Sequence, residues 1–216
     1  ISRIKGYTKG LTMAFANTVC IYNTANFGLP LIHLVFNNPF AMSIQIIIMM
    51  AQIFLTNTIG IFNASIGKRD IKEAITNILK IPIIYSIFAA VILKPFQVEI
   101  WEPVWYTLDL LAQGLIPLAL FTLGVQLANS KMDFRSGRVY LSNFVRLIIG
   151  PLLAYLLVLI SGLDGIAARV FIIAAAAPTA VTPVLLAIEF DNEPEFSSRT
   201  VFSSTILSAF VIALVI

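Results

Sequence analysis

Long apolar segments recur along the whole chain, and their length limits the possible folds more than any other feature. Each approaches or exceeds the roughly 20 residues that an α-helix needs to cross about 30 Å of hydrocarbon. The chain is 59% hydrophobic and 12% charged, with a mean hydropathy of +0.93, as expected of an integral membrane protein. Strand-type alternation is absent, so the sequence predicts an all-α, polytopic membrane helix bundle. The seven predicted spans are 11–36, 40–64, 75–93, 105–127, 139–160, 166–188 and 196–216.

The distribution of Lys and Arg predicts the orientation, because basic residues in short loops stay cytoplasmic. Of the 14 Lys and Arg residues, all but Lys94, Arg169 and Arg146 fall on one side when the loops are taken in alternation. We therefore expect a protein of the cytoplasmic membrane with Ile1 on the cytoplasmic side and Ile216 outside. The net charge of +3 follows from this bias and requires no nucleic-acid partner.

A polar interruption lies in the middle of the first span. The stretch YNTANFGLPL brings to membrane depth Asn23, Thr24, Asn26, Gly28 and Pro30. Proline cannot donate the helical hydrogen bond, glycine relaxes the backbone, and the amides both donate and accept. Unpaired backbone groups cost several kcal/mol each in hydrocarbon, so such a break must lie inside the protein or face a wet cavity.

The sixth span repeats this device. The stretch AAAAPTAVTPVLLA places Pro178 and Pro183 in mid-span, with Thr179 and Thr182 between them. Two interrupted spans in corresponding places of two halves indicate a secondary transporter that binds its substrate where the broken helices meet. The alternative is that the prolines only kink the helices, with Thr side chains satisfying the backbone. The presence of two such spans favours a binding site.

Four stretches resemble motifs of the auxin efflux carrier family, which contains the plant PIN exporters and bacterial permeases for malate or malonate. They are NTANFGLPL, PLALFTLGVQLA, VRLIIGP and AAAPTAVTPVLLAIEF. They follow the family's order and spacing over essentially the whole chain. The resemblance implies ten helices in two inverted five-helix repeats, with the fourth and ninth helices broken and crossing at the site. The seven spans of this chain would be helices four to ten.

This mapping divides the chain into three parts. Residues 1–66 would be the remainder of the first repeat, 67–80 the cytoplasmic loop between repeats, and 81–216 the second repeat. The first repeat would be incomplete, and the start at Ile rather than Met suggests further sequence upstream. The short loop favours a microbial-type carrier, and the resemblance also implies that a homodimer can form. The plant motif Asn-Pro-Asn-Thr-Tyr is missing where this chain reads KIPIIYS.

The resemblance assigns most of the candidate substrate-binding residues, and Asn26 is added on polarity. The assigned residues are Asn23, Thr24, Gly28, Pro30, Pro178, Thr179, Thr182 and Pro183. Gln113 either faces the same cavity or bonds a neighbouring helix. Arg146 either attracts an anion or is a structural or snorkelling arginine. Because half-helix N-termini present free N–H groups and partial positive charge, we expect a small organic anion as the substrate.

Other classes of function have little support in the sequence. One His, one Cys and no facing pair of acids provide no metal site and no nucleophile–base pair, so we expect neither an enzyme nor a cofactor. No Gly-rich phosphate loop is present, which disfavours ATP-driven transport. A seven-helix receptor or sensor, suggested only by the number of spans, is the alternative to a permease. A retinal protein would need a Lys in its last helix, and 196–216 contains none.

Overall fold

The computed structural model describes residues 5–65, 100–128 and 136–216, together with the single residues 85, 89, 92, 93 and 96. The predicted loop 67–80 lies outside the described residues, as does most of the predicted span 75–93. Both stay predictions. The described part of the chain is all-α, as predicted, and its β structure is a single isolated bridge.

Eight helices make up the described part of the fold. They are α1 (Lys9–Cys20), α2 (Thr24–Phe36), α3 (Pro39–Ala64), α4 (Glu102–Ala128), α5 (Gly137–Ser161), α6 (Gly165–Ala175), α7 (Thr182–Glu189) and α8 (Pro194–Val215). The first predicted span corresponds to α1 and α2, and the sixth to α6 and α7. Helices α3, α4, α5 and α8 are each long and apolar enough to cross a membrane. The chain is therefore a multi-pass membrane protein.

The turn between α2 and α3 follows directly from three consecutive residues. Asn37 adopts a left-handed conformation (φ 43°) that ends α2. Asn38 then caps α3, because its Oδ1 accepts the N–H groups of Phe40 (2.8 Å) and Ala41 (3.3 Å). Pro39 occupies the first helical position, where a missing N–H costs nothing. This short connection places α2 and α3 side by side.

Three helices contain a π-helical turn, in which the backbone is locally wider. These turns are Thr24–Gly28 in α2, Thr56–Gly60 in α3 and Val145–Ile149 in α5. Pro30 and Pro151 each lie two residues after the end of such a turn, and neither can donate to the carbonyl four residues earlier. Such turns occur frequently at functional sites. All three lie close to the interruptions or contribute to the contacts described below.

Separate apolar clusters pack the helices before and after the first interruption. One joins α1, α5 and α8 around Phe15 and Phe196, whose stacked rings are 6.3 Å apart. The other joins α2, α3 and α6 around Ile32 and Val170, which are fully buried. Helix α1 packs against α8, and α6 packs against α3. Each interrupted span thus contacts the long helix that follows the other one.

Candidate functional site

The two interruptions meet and pair through their backbones as an antiparallel bridge. The N–H of Asn23 donates to the carbonyl of Pro178 (2.8 Å), and the N–H of Ala180 donates to the carbonyl of Ile21 (3.0 Å). Each interruption therefore satisfies backbone groups that the other leaves without a helical partner. This is the condition under which a broken helix is tolerated at membrane depth. We call this pairing the crossing.

Thr179 anchors the second interruption to its surroundings. Its buried hydroxyl donates to the carbonyl of Thr18 in α1 (2.8 Å), and its N–H donates to the hydroxyl of Ser204 in α8 (3.2 Å). Pro178 has no N–H with which to continue α6, whereas Pro183 lies in the first turn of α7, where none is needed. The two prolines thus separate the two half-helices.

The first turn of α2 lies very close to α3 at Gly28. The fully buried Gln45 donates from Nε2 to the carbonyl of Thr24 (2.8 Å), and a Cβ added to Gly28 would overlap the same nitrogen. The N–H of Gly28 donates to the carbonyl of Asn23 (2.9 Å). Pro30 is buried in the α-helical turn that follows. Glycine is therefore required here by the close approach of the two helices.

Arg146 joins the two interrupted helices from the π-helical turn of α5. It is only 6% exposed, and its guanidinium donates to the carbonyls of Val19 (3.1 Å), Ala177 (3.2 Å) and Ala175. Its Cζ lies 4.4 Å from the centre of the Tyr22 ring, a cation–π distance. Among the described residues, no carboxylate is close enough to Arg146 to form an ion pair. The buried charge is therefore balanced by carbonyl oxygens and an aromatic face.

A cavity of about 340 Å³ opens beside the crossing. Its wall combines the start of α2, the middle of α3 and the start of α7. Of the residues predicted from the sequence, Asn23, Thr24, Asn26 and Thr182 line it. The described lining contains amides, hydroxyls and apolar groups but no charged side chain. The cavity is therefore formally neutral, with polar groups set in a partly apolar wall.

The wall contributed by α3 was missed by the sequence analysis. Gln52, Thr56 and Asn57 line the cavity, and Nε2 of Gln52 lies 3.4 Å from Oγ1 of Thr56. A signal was present, because Gln45, Gln52 and Thr56 are spaced so that they share one face of a helix. A polar face on a membrane helix indicates contact with protein or water rather than lipid.

Residues from the first turns of two helices line this cavity. Thr24 and Asn26 belong to the first turn of α2, and Thr182 begins α7. The residues that precede these helices, Asn23 and Val181, make no side-chain hydrogen bond that would cap them. Helix N-termini carry unpaired N–H groups and roughly half a positive charge each. The cavity thus combines positive potential with hydrogen-bonding side chains, an arrangement that suits an anion.

The structure places Gln113 away from this cavity. It lies on the exposed surface of α4, where its amide donates to Oδ2 of Asp109 one turn earlier (2.6 Å). A role for Gln113 in binding stays a prediction. Within the described ranges, no group of three or more His, Cys, Asp or Glu side chains could hold a metal ion.

Comparison with known proteins identifies relatives that share a transport function by name. A family model described as membrane transport protein matches residues 1–216. A Rhizobium meliloti protein named as a malonate transporter is 30% identical over 59% of this chain and 40% of its own length. The uncharacterized transporter YfdV of Escherichia coli is 28% identical over 63% of this chain and 45% of its own. An uncharacterized transporter of Methanocaldococcus jannaschii is 22% identical over 76% and 55%.

These alignments differ in extent from the family match. The chain spans about half the length of the curated relatives it matches. The family model, in contrast, covers the chain from end to end and agrees with the resemblance seen in its four motifs. The chain therefore belongs to the membrane transport protein family, which is the auxin efflux carrier family that its motifs resemble.

Proposed function

We propose that the full-length protein is a secondary transporter, a permease that moves a small organic anion across the cytoplasmic membrane by alternating access. The observation that carries this proposal is the cavity beside the crossing, which is lined by the first turns of two helices without side-chain caps. Discontinuous helices form substrate sites of this kind in many secondary transporters. Family membership and the names of the relatives support the same class of protein.

The charge and size of the cavity support a small carboxylate as the substrate. Two helix N-termini together supply about one positive charge, which matches one carboxylate group. The amides of Asn26, Gln52 and Asn57 can donate hydrogen bonds to carboxylate oxygens. A volume of about 340 Å³ lies at the lower end of the usual range for small-molecule sites. The relative named as a malonate transporter supports the same chemical class.

The proposed site residues divide into those that contact the anion and those that shape the breaks. The contact residues are the polar side chains that line the cavity. The shaping residues are Gly28, Pro30, Pro178, Thr179 and Pro183. These five are buried at or beside the breaks. Pro178 follows the end of α6, Pro30 and Pro183 lie in early turns of α2 and α7, Gly28 permits close approach and Thr179 bonds to α1.

We also propose that the two interrupted units are inverted repeats, with Ile1 on the cytoplasmic side and Ile216 on the outer side. The reciprocal packing of α1 with α8 and of α6 with α3 supports the relation between the units. The distribution of basic residues supports the orientation. A homodimer is proposed on the family resemblance alone.

Thr56 and Thr58 provide a matched test of the cavity. Both belong to the same π-helical turn, but Thr56 lines the cavity, whereas the hydroxyl of Thr58 donates to Phe54 in its own helix (2.8 Å). Replacement by Val removes the hydroxyl and keeps the shape. In proteoliposomes of the full-length protein, Thr56→Val should raise the KM for the transported anion several-fold, up to about tenfold for one lost hydrogen bond. Thr58→Val should leave it unchanged.

The substrates to be compared are labelled malonate, malate and an aromatic carboxylate. An unchanged KM in Thr56→Val for every transported anion would remove the cavity as the site. Transport of a neutral or cationic compound in preference to all three anions would contradict the proposed substrate class. Substrate-dependent proton or sodium movement, measured in the same vesicles, would identify the coupling ion.

A further inference from the structure

The crossing brings together two helix C-termini as well as two N-termini. Helix α1 ends at Cys20 and α6 ends at Ala175, so each leaves its last carbonyl oxygens without helical partners. Each such end carries about half a negative charge. At membrane depth no bulk water satisfies these groups, so the protein must supply donors and positive charge.

Arg146 supplies hydrogen-bond donors and positive charge to the C-terminal ends of α1 and α6. Its three guanidinium nitrogens donate to Val19 in the last turn of α1, to Ala175 at the end of α6, and to Ala177 just beyond it. Its full positive charge equals the sum of the two partial negative charges. A planar guanidinium can reach several acceptors in different directions, whereas a Lys ammonium is a single point. The arginine is therefore fitted to join two separate chain segments.

Gly150 makes room for this arrangement one turn further along α5. A Cβ added to Gly150 would lie 3.4 Å from Nη2 of Arg146 and 3.5 Å from the carbonyl oxygen of Ala175. An alanine therefore fits at van der Waals contact, whereas a larger side chain would occupy the space between the guanidinium and its acceptor. The close placement of Arg146 and Gly150 thus has a structural reason that is independent of any substrate.

We propose that Arg146 is a positioning residue that holds the crossing together and compensates the C-terminal ends of α1 and α6. The partial positive charge at the N-terminal ends of α2 and α7 can then attract an anion in the cavity, because the partial negative charge at the C-terminal ends of α1 and α6 is compensated. The statement about the anion rests on the proposed function. The joining of the two helix ends does not depend on the proposed function, so the role of Arg146 and the identity of the substrate can be tested separately.

Hydrogen exchange followed by mass spectrometry measures the joining of the helix ends directly. The full-length protein is compared with Arg146→Gln, Arg146→Lys and the matched control Arg138→Gln, whose exposed guanidinium lies over the Tyr7 ring. The amides that report on the crossing are those of Asn23 and Ala180. We expect peptides containing them to exchange at least about tenfold faster in Arg146→Gln. The exchange rate of Arg146→Lys should lie between those of Arg146→Gln and the unchanged protein. Arg138→Gln should exchange at the same rate as the unchanged protein.

Substitutions of Gly150 test the same proposal with the arginine retained, and they decide the outcome if Arg146→Gln does not fold. Gly150→Val should accelerate exchange in the same peptides, and Gly150→Ala should not. Exchange at Asn23 and Ala180 that is unchanged in either Arg146→Gln or Gly150→Val would overturn the proposal.

Uptake of labelled malonate, malate and an aromatic carboxylate by the same preparations separates this proposal from the proposed function. Faster exchange in the Arg146 variants, with no malonate, malate or aromatic carboxylate uptake by the unchanged protein, would support the joining role and contradict the proposed substrate class. Uptake by the unchanged protein with equal exchange in all variants would retain the substrate class and refute the role of Arg146.

Discussion

Gly28→Ala tests the close approach of α2 to α3. The added Cβ would overlap Nε2 of Gln45, which must move and lose its hydrogen bond to the carbonyl of Thr24. Within the described residues Oε1 of Gln45 has no hydrogen-bond partner, so the amide has no second bond to hold it. One interhelical hydrogen bond in a membrane protein contributes about 0.6 to 1.7 kcal/mol. A buried amide left unpaired adds about 1 to 3 kcal/mol.

Alanine favours a helix by up to about 1 kcal/mol over glycine, which offsets part of this cost. The net expectation is a loss of about 1 to 4 kcal/mol in the free energy of unfolding for Gly28→Ala. In a Gln45→Ala background the overlapping amide is gone, and the same change should then cost nothing or be slightly stabilising. The two substitutions should therefore be coupled by roughly 2 kcal/mol.

Denaturant unfolding of the full-length protein in detergent measures this double-mutant cycle. Gly124→Ala on α4 is the matched control, because in the described part of the chain its added Cβ meets nothing within 4 Å beyond its chain neighbours and the backbone of its own helix. It should change the free energy of unfolding by less than about 1 kcal/mol. Additive effects of the Gly28 and Gln45 substitutions would refute the reasoning, because they would show that the added methyl group does not meet the amide.

Two further predictions concern the crossing and the start of α3. Cysteines replacing Tyr22 and Thr179 in a Cys20→Ala background should form a disulfide on mild oxidation, because bridge partners have Cα atoms about 4.5–5.5 Å apart. Free thiols are counted by mass after alkylation, and persistence of both would contradict the crossing. Asn38→Ala should lower the free energy of unfolding by about 1 kcal/mol, because it removes the acceptor for two N–H groups of α3. Asn37→Gly should change it by only a few tenths of a kcal/mol, since glycine accepts the left-handed conformation, and equal losses in the two variants would rule out the capping role.

The positions of the helices could be predicted from the sequence because membrane solvation imposes a minimum length on each apolar segment. The two interruptions could be predicted for a related reason, since amides and prolines at membrane depth need a protein environment. Helix ends were less predictable. The left-handed turn at Asn37 and the cap at Asn38 fix the boundary of α2 and α3, and they depend on local side-chain hydrogen bonds.

Contacts between distant parts of the chain were not predictable from spacing. Arg146 reaches Val19, which lies 127 residues earlier, and no local pattern reveals that its acceptors are carbonyls of broken helices. Gln52 and Asn57 were missed because α3 as a whole has the composition of a lipid-facing span. Their helical spacing marks a polar face, but which helix covers that face depends on packing.

Because their backbones are paired, the two interruptions are expected to move together as one rigid unit. Pulling them apart would strip four backbone groups of their partners in a medium that offers no replacement, at several kcal/mol each. If the paired breaks slide together along an apolar surface, no backbone group loses its partner. Helix α4 offers such a surface, because nearly all its described side chains are exposed and it touches the first turn of α2. Under the proposed alternating access, the movement that exposes the cavity is expected to carry the paired breaks together past α4 rather than to separate them.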